Sequence, residues 1–119
     1  AGLLTKPYYI NFCLGIPAQG ALRATPQNLM LMYERLPADS MFNVTATGPN
    51  QLLLSTMSMI MGGSARVGME DNVFYAKGRP ARNNVELVER TVRIARELNL
   101  EIATPDEARE MLGIPVRPR

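Results

Sequence analysis

The sequence contains no histidine and a single cysteine, Cys13. The first absence removes the imidazole base from any Ser–His or Cys–His nucleophile pair. It also removes the commonest nitrogen ligand for a metal. The second excludes an internal disulfide framework and fits a reducing compartment. With no histidine to activate it, Cys13 reads as a buried, inert thiol. No apolar run reaches the roughly 20 residues of a membrane-spanning helix, and no secretory leader pattern is visible. The net charge is only +2, with no basic stripe interleaved with aromatics, so there is no nucleic-acid footprint. GxG-type phosphate loops, CxxC pairs and catalytic triads are missing. There is also no initiator Met. The composition is that of a cytoplasmic protein with neither a nucleic-acid nor a membrane partner.

What remains is one small domain of 119 residues with a modest core. Tyr8 to Gly15, YYINFCLG, is apolar and β-prone and ends at Gly15-Ile16-Pro17. Thr25-Pro26 reads as an N-cap with proline in the first helical position. Leu29, Met32, Tyr33 and Leu36 then follow helical spacing until Pro37. Ser40 to Gly48 alternates, with Phe42, Val44 and Ala46 on one face and Asn43, Thr45 and Thr47 on the other. QLLLSTMSMIM, closed by Gly62-Gly63, reads as a buried helix. Ala65 to Met69 is the expected third strand. Asn83 with Glu86 three residues on opens a further helix. Val85, Val88, Val92 and Ala95 mark one stripe, with Leu87, Thr91, Ile94 and Leu98 beside it, and Arg90 among the charges outside. Thr104 to Glu107 is a second capping box, opening a short helix closed by Gly113 and Pro115. The eight methionines read as core filler. The order strand–helix–strand–helix–strand–helix–helix, with apolar strands and short connections, predicts an α/β fold of parallel βα units.

In such folds ligands bind at the carboxyl ends of the strands. Those ends are LGIPAQG, TATGPNQ and VGMEDN, side by side on one rim, with Gly15, Gly48 and Gly68 allowing tight turns or close approach. Along the third strand a period of two places Arg66, Gly68 and Glu70 on one face and Val67 and Met69 on the other. Asp71 falls just beyond. Charges at such a position cost several kcal/mol unless paired or bound to a metal. Two readings follow: an Arg66–Glu70 ion pair that ties down the strand end, or a functional site at the rim. Lys77, Arg79 and Arg82 form a basic loop, KGRPARNN, beside it. That loop is either solvated or a contact for a phosphate-bearing ligand or a second subunit. Asn43, Thr45 and Thr47 either face the site or satisfy local hydrogen bonds.

Three segments, NFCLGIPAQ, GGSARVGMEDN and KGRPARNNVELVERTVRIARELNLEIATPDEAREMLGI, together resemble the C-terminal part of the β-keto acid cleavage enzymes. The resemblance covers nearly the whole chain. It implies a (β/α)₈ TIM barrel of which residues 1–119 are about the last three βα units. It implies an enzyme that condenses a β-keto acid with acetyl-CoA and cleaves the adduct to acetoacetate and a new CoA thioester, and that is a homo-oligomer, a tetramer by analogy, at full length. It implies a catalytic divalent metal, usually Zn²⁺. By the same resemblance Glu70 is a metal ligand, Asp71 the general base, and Arg66 the residue that orients that base and stabilises negative charge.

This sequence departs from the family pattern where histidine ligands are expected, at Ser64 after the two glycines, and at Pro49 where a basic residue is common. The first departure is explained if the chain is a portion of a longer protein, in which case the isolated 119-mer is expected to be inactive and aggregation-prone. Two other classes compete. One is a barrel lyase or aldolase that holds Mg²⁺ or Mn²⁺ through oxygen ligands. The other is a non-catalytic remnant serving assembly.

Overall fold

The computed structural model describes residues 3–115. Three parallel strands form one sheet in the order β1 (Tyr8–Leu14), β2 (Ser40–Ala46), β3 (Ser64–Ala65). Helix α1 (Pro26–Tyr33) links β1 to β2, and α2 (Gln51–Ile60) links β2 to β3. These are the consecutive βα units that the apolar strands and short connections predict. β1 and β2 pair over seven residues, from Tyr8↔Ser40 to Leu14↔Ala46. A hairpin, β4 (Phe74–Ala76) and β5 (Arg79–Pro80), then leads into α3 (Asn84–Glu97) and α4 (Pro105–Met111).

Alternation along the strands decides which face is covered. Phe12 and Leu14 of β1 and Phe42, Val44 and Ala46 of β2 point to the helices and are buried with Leu29 and Leu54. Full burial of such a side chain contributes about 1.5–3 kcal/mol each. Phe42 holds this layer together, with its ring 5.5 Å from Phe12 and 5.4 Å from Tyr33. Met32, Met57 and Met61 pack around the edge of this core as filler, but Met30 and Met111 are exposed, so the expectation for all eight methionines holds only in part. Gly63 lets the chain return under Phe42, since a Cβ there would stand 2.5 Å from its ring.

The other sheet face carries Tyr9, Asn11 and Cys13, all exposed, beside Asn43 and Thr45. Cys13 is therefore not the buried thiol that its surroundings in the sequence suggest: it lies on the edge strand, where this face is uncovered, although Thr45 beside it on β2 is buried. The radius of gyration, 15.1 Å, exceeds the roughly 13–14 Å of a close-packed chain of this length, as a one-sided sheet requires.

Local chemistry sets the helix ends. Thr25 Oγ1 accepts from the Asn28 N–H at 3.3 Å, with Pro26 in the first turn. Thr104 and Glu107 complete a reciprocal capping box. α2, α3 and α4 each end with a left-handed residue, Gly62, Asn99 and Gly113, and paired backbone bonds onto the last turn.

Three expectations are corrected. β3 stops at Ala65 instead of running to Met69, because Gly68 O accepts from the N–H groups of Asp71 and Asn72 and curls the chain into a turn. The KGRPARNN segment is not a bare loop: Lys77-Gly78 is the two-residue turn of the hairpin, with Gly78 at φ 75°. On α3, Leu87 and Ala95 are buried as expected, but Glu86 and Arg90 share that inner face, while Val85 and Val88 are 59% and 47% exposed. That rotation follows from Tyr75 on β4, which draws Arg90 inward. No helix among the described residues is long and apolar enough to cross a membrane.

Candidate active site

The carboxyl ends of β1 and β2 are tied to each other and to the turn that follows β3. The Thr47 N–H donates to Leu14 O at 3.1 Å, and the Gly48 N–H donates to Asp71 O at 2.8 Å. Thr47 Oγ1 also donates to Gly15 O. Gly15 and Gly48 take left-handed backbone angles at these turns, φ 85° and 67°. Gly68 does not, and a Cβ there would meet only ordinary contacts. The rim that the strand order implies is thus present, and the acidic doublet is attached to the end of β2.

Arg66 is the hub of that doublet. Its Nη2 lies 2.7 Å from Glu70 Oε2, and its Nε lies 3.3 Å from Asp71 Oδ2. The two carboxylates differ in surroundings. The Glu70 side chain is 82% exposed, whereas that of Asp71 is 9% exposed. Because β3 ends at Ala65, the turn and not strand alternation sets their directions. Asn72, buried next to Asp71, uses both ends of its amide on Phe74, donating at 2.8 Å and accepting at 3.1 Å. The turn is therefore anchored to β4.

Asp71 lines a cleft of about 1050 Å³ that also includes Gly48, Pro49, Tyr75, Lys77 and Arg90. Pro49, one of the departures noted in the sequence, is thus part of the cleft wall. Ser64, another, lies exposed at the start of β3 opposite Asn43. Asn43, Thr45 and Thr47 turn out to be engaged locally. Asn43 Nδ2 donates to Tyr9 Oη at 2.6 Å and Thr45 Oγ1 to Asn11 Oδ1 at 2.9 Å.

Sequence reasoning missed a second charged cluster. Glu86 is buried at the start of α3 and accepts from the Arg82 N–H at 2.9 Å, from Arg82 Nε at 3.3 Å and from Arg79 Nη2. The backbone N–H of Arg82 is the main cause holding the Glu86 carboxyl below its ordinary value, opposed by desolvation and helped by the charges of Arg79 and Arg82. The Tyr75 ring lies between two guanidiniums, 4.3 Å from Arg79 and 4.2 Å from Arg90. Its hydroxyl accepts from Arg93 Nη2 at 3.2 Å.

The beta-keto acid cleavage enzyme family profile matches residues 1–114. The chain belongs to that family. It is 46% identical over 113 residues to the 3-keto-5-aminohexanoate cleavage enzyme of Acetoanaerobium sticklandii, covering 95% of this chain and 41% of that protein. The corresponding enzyme of Fusobacterium nucleatum subsp. nucleatum is 43% identical, over 95% of this chain and 40% of that protein. The 3-dehydrocarnitine:acetyl-CoA trimethylamine transferase of Rhizobium meliloti is 34% identical, over 98% and 38%. The chain therefore spans about two-fifths of the length of the relatives it matches. Among the described residues no three His, Cys, Asp or Glu side chains group to hold a metal ion.

Proposed function

We propose that this chain is the C-terminal part of a (β/α)₈ barrel enzyme that exchanges acyl groups between a β-keto acid and acetyl-CoA. The observation that carries the reading is Asp71: a carboxylate 9% exposed, beside one cation, at the joined strand ends of a family member. The named relatives act on a β-keto acid or use acetyl-CoA, according to their names. The open face of the sheet and its unpaired edges suit completion by further strands of the same barrel.

In this reading Asp71 removes a proton from the carbon between the ketone and the carboxylate. The resulting carbanion attacks the acetyl thioester and releases the CoA thiolate. The thiolate attacks the original ketone, the C–C bond breaks, and acetoacetate leaves with its electron pair protonated by the acid form of Asp71. The other product is the new CoA thioester. Arg66 holds Asp71 in place through Nε and presents positive charge to the anionic intermediate. A positioned side-chain base contributes about 10²–10⁴-fold to such a step.

Zinc does not fit the described residues alone. A catalytic zinc takes about three protein ligands plus an open position, and here Glu70 is a single outward carboxylate already paired with Arg66. We assign Glu70 as one ligand whose companions lie outside residues 3–115, and no step above is routed through the ion. The competing site reading, a structural ion pair at the strand end, accounts for Glu70 but leaves Asp71 as a shielded carboxylate with only one charged partner.

The test uses the full-length protein, acetyl-CoA and a panel of β-keto acids, with formation of new CoA thioesters as the readout. Turnover of at least one β-keto acid is expected, and none across the panel overturns the reading. Metal content per subunit is expected to fall in Glu70→Gln. Unchanged content removes Glu70 from the ligand set.

A further inference from the structure

The acidic turn is gripped at one peptide unit. Gly68 C=O and Met69 N–H belong to the same trans peptide group, so they point in opposite directions in one plane. Gln51, the first residue of α2, donates from Nε2 to Gly68 O at 3.0 Å. Asn84, the first residue of α3, accepts at Oδ1 from the Met69 N–H at 2.8 Å. Two side-chain amides from two different helices therefore hold both polar ends of a single plane. Neither is explained by helix capping. The cap of α3 is Asn83, whose Oδ1 accepts from the Glu86 N–H. Gln51 is wholly buried, and its Oε1 has no partner, so its placement is not explained by saturating its own hydrogen bonds.

The gripped oxygen is also the one that shapes the turn. Gly68 O accepts from the N–H groups of Asp71 at 3.3 Å and Asn72 at 3.1 Å. Glycine permits the adjoining plane to rotate at little steric cost. A rotated plane would carry that oxygen away from both N–H groups, open the turn and release Asp71 from the cleft wall. We propose that Gln51 and Asn84 are positioning residues that lock the Gly68–Met69 plane and thereby set the placement of Asp71. The proposal rests on the reading of Asp71 as the base. Neither residue touches the reacting atoms, and each acts through the turn.

Asn84 is the sharper probe because its side chain is exposed, so replacing it leaves the core untouched. In the full-length enzyme, Asn84→Leu removes the acceptor, whereas Asn84→Asp keeps an acceptor for the same N–H. Misplacement of a catalytic group by about 1 Å costs on the order of 100-fold. Asn84→Leu is expected to lower kcat by roughly that factor, with KM for the β-keto acid and the melting temperature near wild type. Asn84→Asp is expected to restore kcat. Gln51→Met, similar in length but without the donor, is expected to match Asn84→Leu in its kcat loss where it folds. Full kcat in Asn84→Leu, or an equal loss in Asn84→Asp, overturns the proposal.

Amide hydrogen exchange at the peptide spanning residues 68–71 reads the clamp without any turnover. Faster exchange is expected in Asn84→Leu and near-wild-type exchange in Asn84→Asp. Unchanged exchange in Asn84→Leu overturns the clamp. A wild-type protein that turns over no β-keto acid, yet shows this exchange pattern, overturns the proposed function and leaves the clamp standing.

Discussion

Two arginine–carboxylate clusters flank the cleft region, and they use their charges differently. At the start of α3, Glu86 meets three donors, the Arg82 N–H, Arg82 Nε and Arg79 Nη2, so both carboxylate oxygens are engaged. In the turn beyond β3, the Asp71 carboxylate has a single charged neighbour, Arg66 Nε at 3.3 Å. Both side chains are shielded to a similar degree, 8% and 9% exposed. Burial therefore does not separate them, but saturation does. A carboxylate held at both oxygens by three donors has little capacity left for a substrate proton and belongs to the scaffold. One that is shielded and underused retains that capacity.

The comparison breaks first at Asp71. In the full-length protein, Asp71→Asn is expected to lower kcat by about 10³-fold or more, with an unchanged melting temperature. A variant with near-normal turnover would place Asp71 in the scaffold class beside Glu86. Arg66 comes next. Its two nitrogens meet two carboxylates, a fork that lysine does not reproduce. Arg66→Gln is expected to cost on the order of 10²-fold in kcat/KM, and Arg66→Lys to recover only part of it. Full recovery by lysine would reduce Arg66 to a point charge.

The converse holds for Glu86. Glu86→Gln is expected to lower the melting temperature of the full-length protein by several degrees while the folded enzyme keeps its kcat. Loss of kcat at unchanged stability would bring Glu86 into the site. The smallest effect is in pH. Glu86 and Glu107 are both held below the ordinary value of 4.5, Glu86 chiefly by the Arg82 N–H and Glu107 chiefly by the Thr104 N–H. A depressed folded pKa contributes stability that is fully present above about pH 4.5 and is lost as pH falls through the folded value. Thermal melts from roughly pH 6 to pH 3 should show this acid limb, shallower in Glu86→Gln. An unchanged limb in that variant would mean that other carboxylates account for the acid sensitivity.

Much of this was legible in the sequence because it is local. Thr25-Pro26 and the Thr104–Glu107 box act over three or four residues, and both appear as written. The alternation of Phe42, Val44 and Ala46 likewise predicted the buried face of β2. The site was legible in part. The position of Arg66, Glu70 and Asp71 at a strand end was readable, but their division of labour was not. The period-two reading placed Arg66 and Glu70 together on one strand face. In the fold they do meet, across a turn, while Asp71 becomes the shielded member. The inward turn of Arg90 was misread because Tyr75, fifteen residues away from Arg90, decides it, whereas the hairpin turns on the local Lys77-Gly78 pair that was read as loop.

By itself, then, the chain determined where its helices begin, which strand residues face apolar neighbours and which family it resembles. These follow from backbone propensity, short-range hydrogen bonds and residue patterns. Only the tertiary structure decided where β3 ends, which carboxylate is shielded and which arginines saturate Glu86. The arginines on Glu86 are only four and seven residues away, but the turn that carries Asp71 is held by hydrogen bonds between segments far apart in sequence, such as Gly48 with Asp71 and Asn84 with Met69. No local pattern encodes such a contact, because its free energy depends on geometry that exists only after the chain has folded.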